Sequence, residues 1–456
     1  MAGAWLAATG AISCTAPNTP ASARPERAER WYQRAIGEYR RVAMDSAFDS
    51  ARQALELVPS DPDVQILAAR VALARLEYDE TIRLLKNVPG SAAASLRGRA
   101  HWYRGDSDRA ADELEQLLAD PEIVDAWAKQ IAQLARRGAG RKPFDMTATE
   151  GQLATVEMTR MQPGSQPLFI VPVEIDGEQA LALVATGTAE VMIDAAARTE
   201  PAWLSLRFGK RLEVRDVPAL THDLSGLSQQ LGAPIKALLG ANLLRRLQVT
   251  MDYRGRQFVA RAFTPPPPPV ATRVDVFYVR GGGMIVGSSL GERDNANAPM
   301  LVDTSMGFAL ALDAGGWKKV GVDSATLPVL GGEGAGEIRA GSVPAFTLGA
   351  FSMPAVPAVF GPTFEKLERE LEVDIDGMLG TGMLAAFRVT LSDFGRVMWL
   401  EQSPPVPPAA PIDPAMFEEA LGVGAPKEVP PPKREVRGAD PGTLPPTLPA
   451  DVESVP

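Results

Sequence analysis

The sequence has little of the chemistry on which most enzyme classes depend. Its 456 residues include one cysteine, Cys14, and two histidines, His101 and His222. One cysteine cannot form an intramolecular disulfide, and the chain lacks the cluster of thiolates and imidazoles that binds zinc. Two histidines also argue against a Ser-His-Asp triad, which needs a histidine as its general base. We therefore expect no metal and no cofactor, and we expect His101 to be a packed residue. The enzyme classes left open work with carboxylates alone.

Concentrated positive charge is also missing. The formal net charge is -10, the isoelectric point is about 5.1, and the basic residues form no run longer than the pairs Arg245-Arg246 and Lys318-Lys319. Because binding to a phosphate backbone needs a basic face, we expect no nucleic-acid partner. No apolar run reaches the roughly 18 residues that a membrane-spanning helix needs, so none is expected.

The beginning of the chain is apolar. Small and apolar residues fill positions 2–13, and Cys14 follows Ala11, Ile12 and Ser13. This start resembles a bacterial lipoprotein signal peptide, which is cut before a cysteine that becomes lipidated. The resemblance implies a lipid anchor as the only membrane attachment, and a place in the bacterial cell envelope, periplasm-facing or at the outer membrane. An ordinary signal peptide or a chance cysteine are the alternatives, since the usual positive charge before the apolar stretch is missing. A misplaced start codon would explain that gap. We assign residues 1–27 to the signal peptide and tether.

Residues 28–140 have the pattern of paired helices. Ala, Leu, Arg and Glu recur at helical spacing, and residues 47–51, 76–82 and 104–110 resemble one another. The spacing of these segments resembles degenerate tetratricopeptide repeats, whose period is about 34 residues. Helix pairs that cannot bury an apolar face alone must stack, which predicts a small solenoid. Its concave face would bind a partner protein; alternatively, the segment is a spacer.

The prolines mark boundaries farther along the chain. Five consecutive prolines occupy 265–269, and residues 403–456 are rich in proline, which predicts a spacer and a disordered tail, respectively. After Phe144 the hydrophobic period changes to two. Residues 169–175 predict a strand, and Asp176-Gly177 is a hairpin turn.

An internal repeat is the most informative feature of the sequence. Residues 238–256 align without gaps to 378–396, an offset of 140, and residues 183–187 align to 301–305, an offset of 118. The second copy therefore carries about 22 additional residues between its two matched segments. The copies define two units, which we call lobe 1 (165–262) and lobe 2 (272–402).

The two lobes resemble retropepsin-like aspartic peptidases. Each has a hydrophobic strand that enters an Asp-Thr-Gly-like turn, and downstream a Leu-Gly, a short helix and a Val-Thr hairpin. The resemblance implies an α+β multidomain chain, with helical repeats followed by two mainly-β lobes. In lobe 2 the catalytic turn is Asp303, Thr304 and Ser305, with Ser305 in place of Gly. Its degenerate counterpart in lobe 1 is Ala185, Thr186 and Gly187. The implied substrate flap contains the glycines of the second copy's additional residues, Gly331, Gly332, Gly334 and Gly336.

The loss of one aspartate decides the expected chemistry. Aspartic peptidases use two carboxylates that share one proton, and the threonine of each turn bonds across the axis between the lobes. If the lobes pair within the chain, Asp303 faces the methyl group of Ala185. The loss of a positioned acid–base group lowers the rate by about 10²–10⁴-fold. We expect structural roles for Asp194 and Asp313, which occupy matching positions after a strand.

Three functions stay open. The first is a pseudo-peptidase that keeps a peptide-binding cleft, with at most weak proteolysis by Asp303. The second is an active endopeptidase, formed when two chains pair their Asp303 residues as a homodimer. The third is a structural lipoprotein whose helical repeats bind partner proteins.

Overall fold

The computed structural model describes residues 24–147, 153–161, 167–291, 297–330, 338–361 and 364–402. Cys14, the four flap glycines and the proline-rich tail lie outside the described residues. The described fold is mixed α+β: a helical segment comes first and a strand-rich region follows, as the sequence predicts. None of the described helices is long and apolar enough to cross a membrane.

The helical segment consists of stacked antiparallel pairs. The helices are α1 (Glu26–Arg40), α2 (Met44–Leu57), α3 (Pro62–Ala74), α4 (Tyr78–Leu85), α5 (Ser91–Arg104), α6 (Ser107–Leu118) and α7 (Ala126–Arg136). The three similar sequence segments contribute to α2, α4 and α6, the second helix of each pair. Asp61, Asp106 and Asp125 cap helices with their carboxylates, and buried alanines let the helices approach closely. Membership of the tetratricopeptide class stays a prediction.

The strand-rich region begins at Asp145. Its strands are β1 (Asp145–Thr147), β2 (Leu153–Glu157), β3 (Thr159–Met161), β4 (Leu168–Ile175), β5 (Glu178–Ala185), β6 (Val191–Asp194), β7 (Ala202–Phe208), β8 (Leu212–His222), β9 (Ile235–Gly240), β10 (Thr250–Asp252), β11 (Gln257–Arg261), β12 (Thr272–Val279), β13 (Gly283–Leu290), β14 (Asn297–Asp303), β15 (Leu310–Leu312), β16 (Val329–Leu330), β17 (Ile338–Leu348), β18 (Phe351–Phe360), β19 (Gly377–Gly380), β20 (Phe387–Ser392) and β21 (Val397–Gln402). Its helices are α8 (Ser225–Leu231), α9 (Ala241–Arg246), α10 (Ala314–Lys319), α11 (Glu365–Leu371) and α12 (Thr381–Leu384).

The two lobes share one topology. In lobe 1, β5 runs parallel to β9, β9 pairs antiparallel with β6, and β6 runs parallel to β8. In lobe 2, β14, β19, β15 and β18 repeat these pairings in the same order. Lobe 2 has α10 and β16 between β15 and β17, where lobe 1 has no helix or strand between β6 and β7, and β16 pairs with β17. The sequence repeat is therefore a repeat of strand arrangement.

A continuous sheet joins the lobes. Its strands follow the order β2-β11-β10-β20-β21-β12, and the boundary between the lobes lies between β10 and β20. Thr250 and Thr390 stand opposite each other there, with their hydroxyl oxygens 2.8 Å apart and both residues buried. These two threonines are repeat equivalents, so a pseudo-two-fold axis passes between them. Strands β1–β3 also join these sheets, so the sheets extend upstream of position 165.

The helical segment packs directly against the lobes. Trp203 Nε1 donates to the carbonyl of Leu134 at 3.0 Å, and Arg246 donates to the carbonyl of Tyr103 at 2.7 Å. At the other end of the segment, Arg40 forms an ion pair of 2.6 Å with Asp374 of lobe 2. The helices therefore contact both lobes.

Candidate active-site cleft

Two turns meet at the centre of the lobe pair, one after β5 and one after β14. The backbone N–H of Thr186 donates to Thr304 Oγ1 at 3.0 Å, and the N–H of Thr304 donates to Thr186 Oγ1 at 3.0 Å. The hydroxyl of Thr186 donates to the carbonyl of Val302 at 2.9 Å, and that of Thr304 to the carbonyl of Val184 at 2.8 Å. Both threonines are 1% exposed. Their reciprocal bonds join the lobes within one chain.

Asp303 ends β14 beside this threonine pair. Its Oδ1 accepts hydrogen bonds from the backbone N–H of Ser305 at 2.8 Å and from the Ser305 hydroxyl at 2.6 Å. Burial raises the pKa of Asp303, while these bonds and one from the backbone N–H of Gly187 act in the opposite direction. Ser305, which matches Gly187 in the internal repeat, therefore serves as a hydrogen-bond donor to the carboxylate.

The opposite turn offers no second acid. Ala185 is fully buried at the position that matches Asp303. A Cβ atom on Gly187 would lie 2.5–2.7 Å from the Asp303 carboxyl atoms, so the Asp303 side chain occupies the space next to that glycine. The pKa of Asp303 is shifted by burial and hydrogen bonds, without a contribution from a neighbouring charge. Asp303 therefore has no second carboxyl group at this turn with which it could share a proton.

A cavity of about 540 Å³ lies beside the degenerate turn. Its walls come from helices α3, α5 and α7, from the loop that follows Gly187, from the β12–β13 turn and from α11. Gly187 lies against Asp303 and also lines the cavity, whereas Asp303 itself is not among the lining residues. No sequence motif pointed to this cavity, because its walls come from segments that are far apart in the chain.

Glu190 is a buried acid that the sequence did not single out. It lines the cavity and is 2% exposed, and Trp102 Nε1 of α5 donates to its Oε1 at 3.3 Å. Burial raises the pKa of the Glu190 carboxyl, since the charged form loses solvation. The only sequence signal for it was its position three residues after Gly187. Glu190 connects the helical segment to the turn.

The remaining candidates have structural contacts. Asp194 accepts from the N–H of Ala196 at 3.3 Å, and Asp313 caps α10 through the N–H of Gly316 at 2.6 Å. His101 is 4% exposed, and burial lowers its pKa, which fits a packed residue. These interactions agree with the structural roles expected from the sequence.

The proposed flap can be located only by its flanks. Gly331, Gly332, Gly334 and Gly336 lie outside the described residues. Strands β16 and β17 pair antiparallel on either side of them, with Leu330 opposite Ile338. The glycine-rich stretch therefore connects two paired strands of lobe 2.

Comparison with known proteins yields a structural likeness but no family match. No protein-family model matches the chain, and no curated protein matches it. Among solved structures, the chain is similar to a retropepsin-like aspartic protease from Rickettsia conorii. The sequences are 15% identical, the match covers 30% of this chain and 95% of that chain, and the TM-score is 0.23.

Proposed function

We propose that this protein binds peptides in a cleft of the aspartic-peptidase type and has at most weak proteolytic activity, which depends on Asp303. The observation that carries the proposal is the reciprocal Thr186–Thr304 hydrogen bonding. It brings the turn with an acid against the turn without one. The arrangement retains the frame of a two-carboxylate site and half of its acid–base groups.

The chemistry of a single carboxylate limits the rate. In a two-carboxylate site, one group activates water while the protonated group polarises the peptide carbonyl. Asp303 can serve one of these roles at a time, and Ala185 supplies nothing for the other. Proteolysis would therefore proceed about 10²–10⁴-fold more slowly than with a complete pair.

Binding has a physical basis that does not need the second acid. The cavity beside Gly187 has a volume of about 540 Å³, within the range of about 300–1,000 Å³ typical of ligand sites. Arg99 and Glu190, both buried, line it together with apolar side chains. A short peptide that enters this cavity would reach Gly187, the lobe 1 residue that lies against Asp303.

The two alternative functions have less support. A dimer that pairs two Asp303 residues would have to replace the Thr186–Thr304 bonds and the adjacent β10–β20 pairing within each chain. A scaffold that binds partners on the inner side of its helices would compete with its own lobes, which contact Trp102 and Tyr103. A lipid anchor at Cys14 would place the cleft at the cell envelope, and this location is part of the proposal.

The test measures binding and cleavage separately. A mixed peptide library is incubated with the full chain at roughly pH 3 to 7, where carboxylates titrate, beside an Asp303→Asn variant. We expect peptide binding by both proteins, and slow cleavage, if any, by the parent alone. Absence of peptide binding by either protein would refute the proposal. Fast cleavage that rises with the square of protein concentration would favour the dimer instead.

A further inference from the structure

Two arginines from distant parts of the chain line the same cavity. Arg99 comes from α5 and Arg280 from the turn between β12 and β13. Arg99 is 6% exposed, and its guanidinium carbon lies 3.8 Å from the centroid of the Trp127 ring. Arg280 is half-buried, and it donates to the backbone carbonyl of Glu370 at 2.7 Å. Burial and the charge of Arg99 lower the pKa of Arg280, so the two cations are electrostatically coupled.

The nearby carboxylates do not fully satisfy this pair. Asp125 lies 3.5 Å from Arg99, while its other oxygen caps α7 through the N–H of Ala128 at 2.9 Å. Glu372 is paired with Arg70 at 3.2 Å. The Nε of Arg99 is buried and has no hydrogen-bond partner among the described residues. The cavity is thus lined by a buried cation whose hydrogen-bonding capacity is only partly used.

A buried guanidinium group with one long contact to a carboxylate has room for a further acceptor from the cavity that it lines. A buried charge is costly unless it is paired and hydrogen-bonded. The planar guanidinium fits a carboxylate through two parallel hydrogen bonds, which makes such a pair strong and geometrically selective. Stacking on Trp127 holds the plane of Arg99 in place, which lowers the entropy lost when an acceptor binds.

From this geometry we infer that Arg99 and Arg280 anchor a carboxylate group of the peptide that binds in the cavity. The inference rests on the proposed function and specifies its ligand. The carboxylate belongs to a C-terminus or to an acidic side chain, and both sources share the chemistry that the guanidinium recognises. Gly187, which lies against Asp303, lines another wall of the cavity, so the rest of the peptide would extend from the anchor toward Gly187.

The experiment compares matched peptide libraries by isothermal titration with the full chain. The first is N-acetylated with a free C-terminal acid, and the second is identical but C-terminally amidated. The third is amidated with one Gln replaced by Glu, and acetate alone is a fourth probe. We expect the acid-bearing peptides to bind about 10- to 100-fold more tightly than the plain amides, the range for charge-assisted hydrogen bonds. The first and third libraries distinguish the two carboxylate sources.

The variants are Arg99→Gln and Arg280→Gln, with Arg136→Gln as the matched control. Arg136 is an arginine on the exposed side of α7 that pairs with Glu115 outside the cavity. Each cavity variant should lose the preference for acid over amide, whereas Arg136→Gln should keep it. Arg280→Gln keeps the test valid if Arg99→Gln does not fold, since Arg280 lies at a half-buried turn.

The outcomes separate the anchor from the function. Equal binding of acids and amides by the parent would overturn the anchor and leave the peptide-binding function standing. A preference that survives both Gln variants would also overturn the anchor. Binding of none of the probes, acetate included, would end both proposals together. Saturable acetate binding that both variants lose would support the carboxylate site even without a defined peptide.

Discussion

The two lobes have the same strand topology but have kept different parts of one turn. Lobe 2 retains an acid at Asp303, and lobe 1 has Ala185 at the matching position, yet the threonines that follow make equivalent hydrogen bonds. Strand β5 pairs with β9 so that Ala185 lies opposite Gly240, and β14 pairs with β19 so that Asp303 lies opposite Gly380. The hydrogen bonds of Thr186 and Thr304 therefore do not require an acid in both turns. The threonines hold the lobes together whether or not an adjacent residue can do chemistry.

The largest effect is expected when both lobes have an acid at the matching position of the turn. The Ala185→Asp variant adds a carboxylate opposite Asp303, and the pair would share a proton as two adjacent acids must. We expect proteolysis at acidic pH to rise by about 10²-fold or more over the parent. Cleavage of a quenched fluorescent peptide library measures it.

The control for that gain is the double variant Ala185→Asp with Asp303→Asn. It contains one acid again, on the other lobe, and should return to the activity of the parent. If Ala185→Asp folds with an unchanged Tm but gains no cleavage, the lobes do not bring their turns together as a catalytic pair.

The hydrogen bonds between Thr186 and Thr304 can be removed by a substitution in either lobe. Thr186→Val and Thr304→Val each remove a hydroxyl that both donates and accepts in a buried site. The N–H and C=O left unpaired should lower the free energy of unfolding by about 2–5 kcal/mol, similarly for both variants. Urea unfolding measures the loss, with Thr159→Val on exposed strand β3 as the control. A large loss in only one lobe would contradict the symmetric role.

A smaller effect is expected where the turn of lobe 1 meets the acid of lobe 2. The Gly187→Ala variant would put a methyl group within 2.5–2.7 Å of the Asp303 carboxyl atoms. Because the carboxyl must move away from its Ser305 donors, the free energy of unfolding should fall by about 1–3 kcal/mol. In Asp303→Ala this clash is absent, so the penalty of Gly187→Ala should largely disappear in the double variant. Additive losses in that cycle would contradict direct contact.

The pH dependence of the free energy of unfolding should also differ between the lobes, and this is the smallest effect that we expect on stability. The pKa of Asp303 is higher in the folded protein than in the unfolded chain, so the folded state favours its protonated form. This contribution to stability is complete below the unfolded pKa of about 3.9 and is lost as pH rises through the folded pKa. Asp303→Asn removes this dependence, which paired urea titrations across acidic pH would reveal. The Ala185 position has no titrating group and contributes none.

Ser305 adjusts that response. Its hydroxyl bond favours the charged form of Asp303, so Ser305→Ala should raise the pKa of Asp303 further. Titration of the carboxyl by NMR measures the direction of the change. A downward shift would mean that the hydroxyl of Ser305 does not stabilise the carboxylate.

Local patterns predicted the elements near the repeat well. The matched residues at 238–256 and 378–396 form a strand, a short helix and the start of a hairpin in each lobe. These elements could be predicted from the sequence because a two-residue hydrophobic period and a recurring Leu-Gly turn depend only on residues that are close together in the chain. The alignment also placed Ala185 and Asp303 at matching turns. The strands β1–β3 were missed, since they are short and their pairing partners lie far away in the sequence.

The cavity could not be predicted in the same way. Arg99 and Arg280 meet only because α5 packs against the β12–β13 turn, and Glu190 becomes buried only when Trp102 covers it. Residues on nearly all sides of α5 are buried, so its sequence pattern does not mark the side that faces the β12–β13 turn. The neighbour that each side of α5 contacts depends on the shapes and packing of both partners.

The sequence alone determined that two similar β-rich units follow a helical segment, and that only the second unit has an acid in its turn. These facts follow from residue order and local period, which need no knowledge of distant contacts. Only the tertiary structure decided that the units pair within the chain through Thr186 and Thr304, and that the helices enclose a charged cavity beside Gly187. Such contacts form when apolar surfaces from distant segments are buried against each other. Which surfaces pair depends on the packing of the whole folded chain.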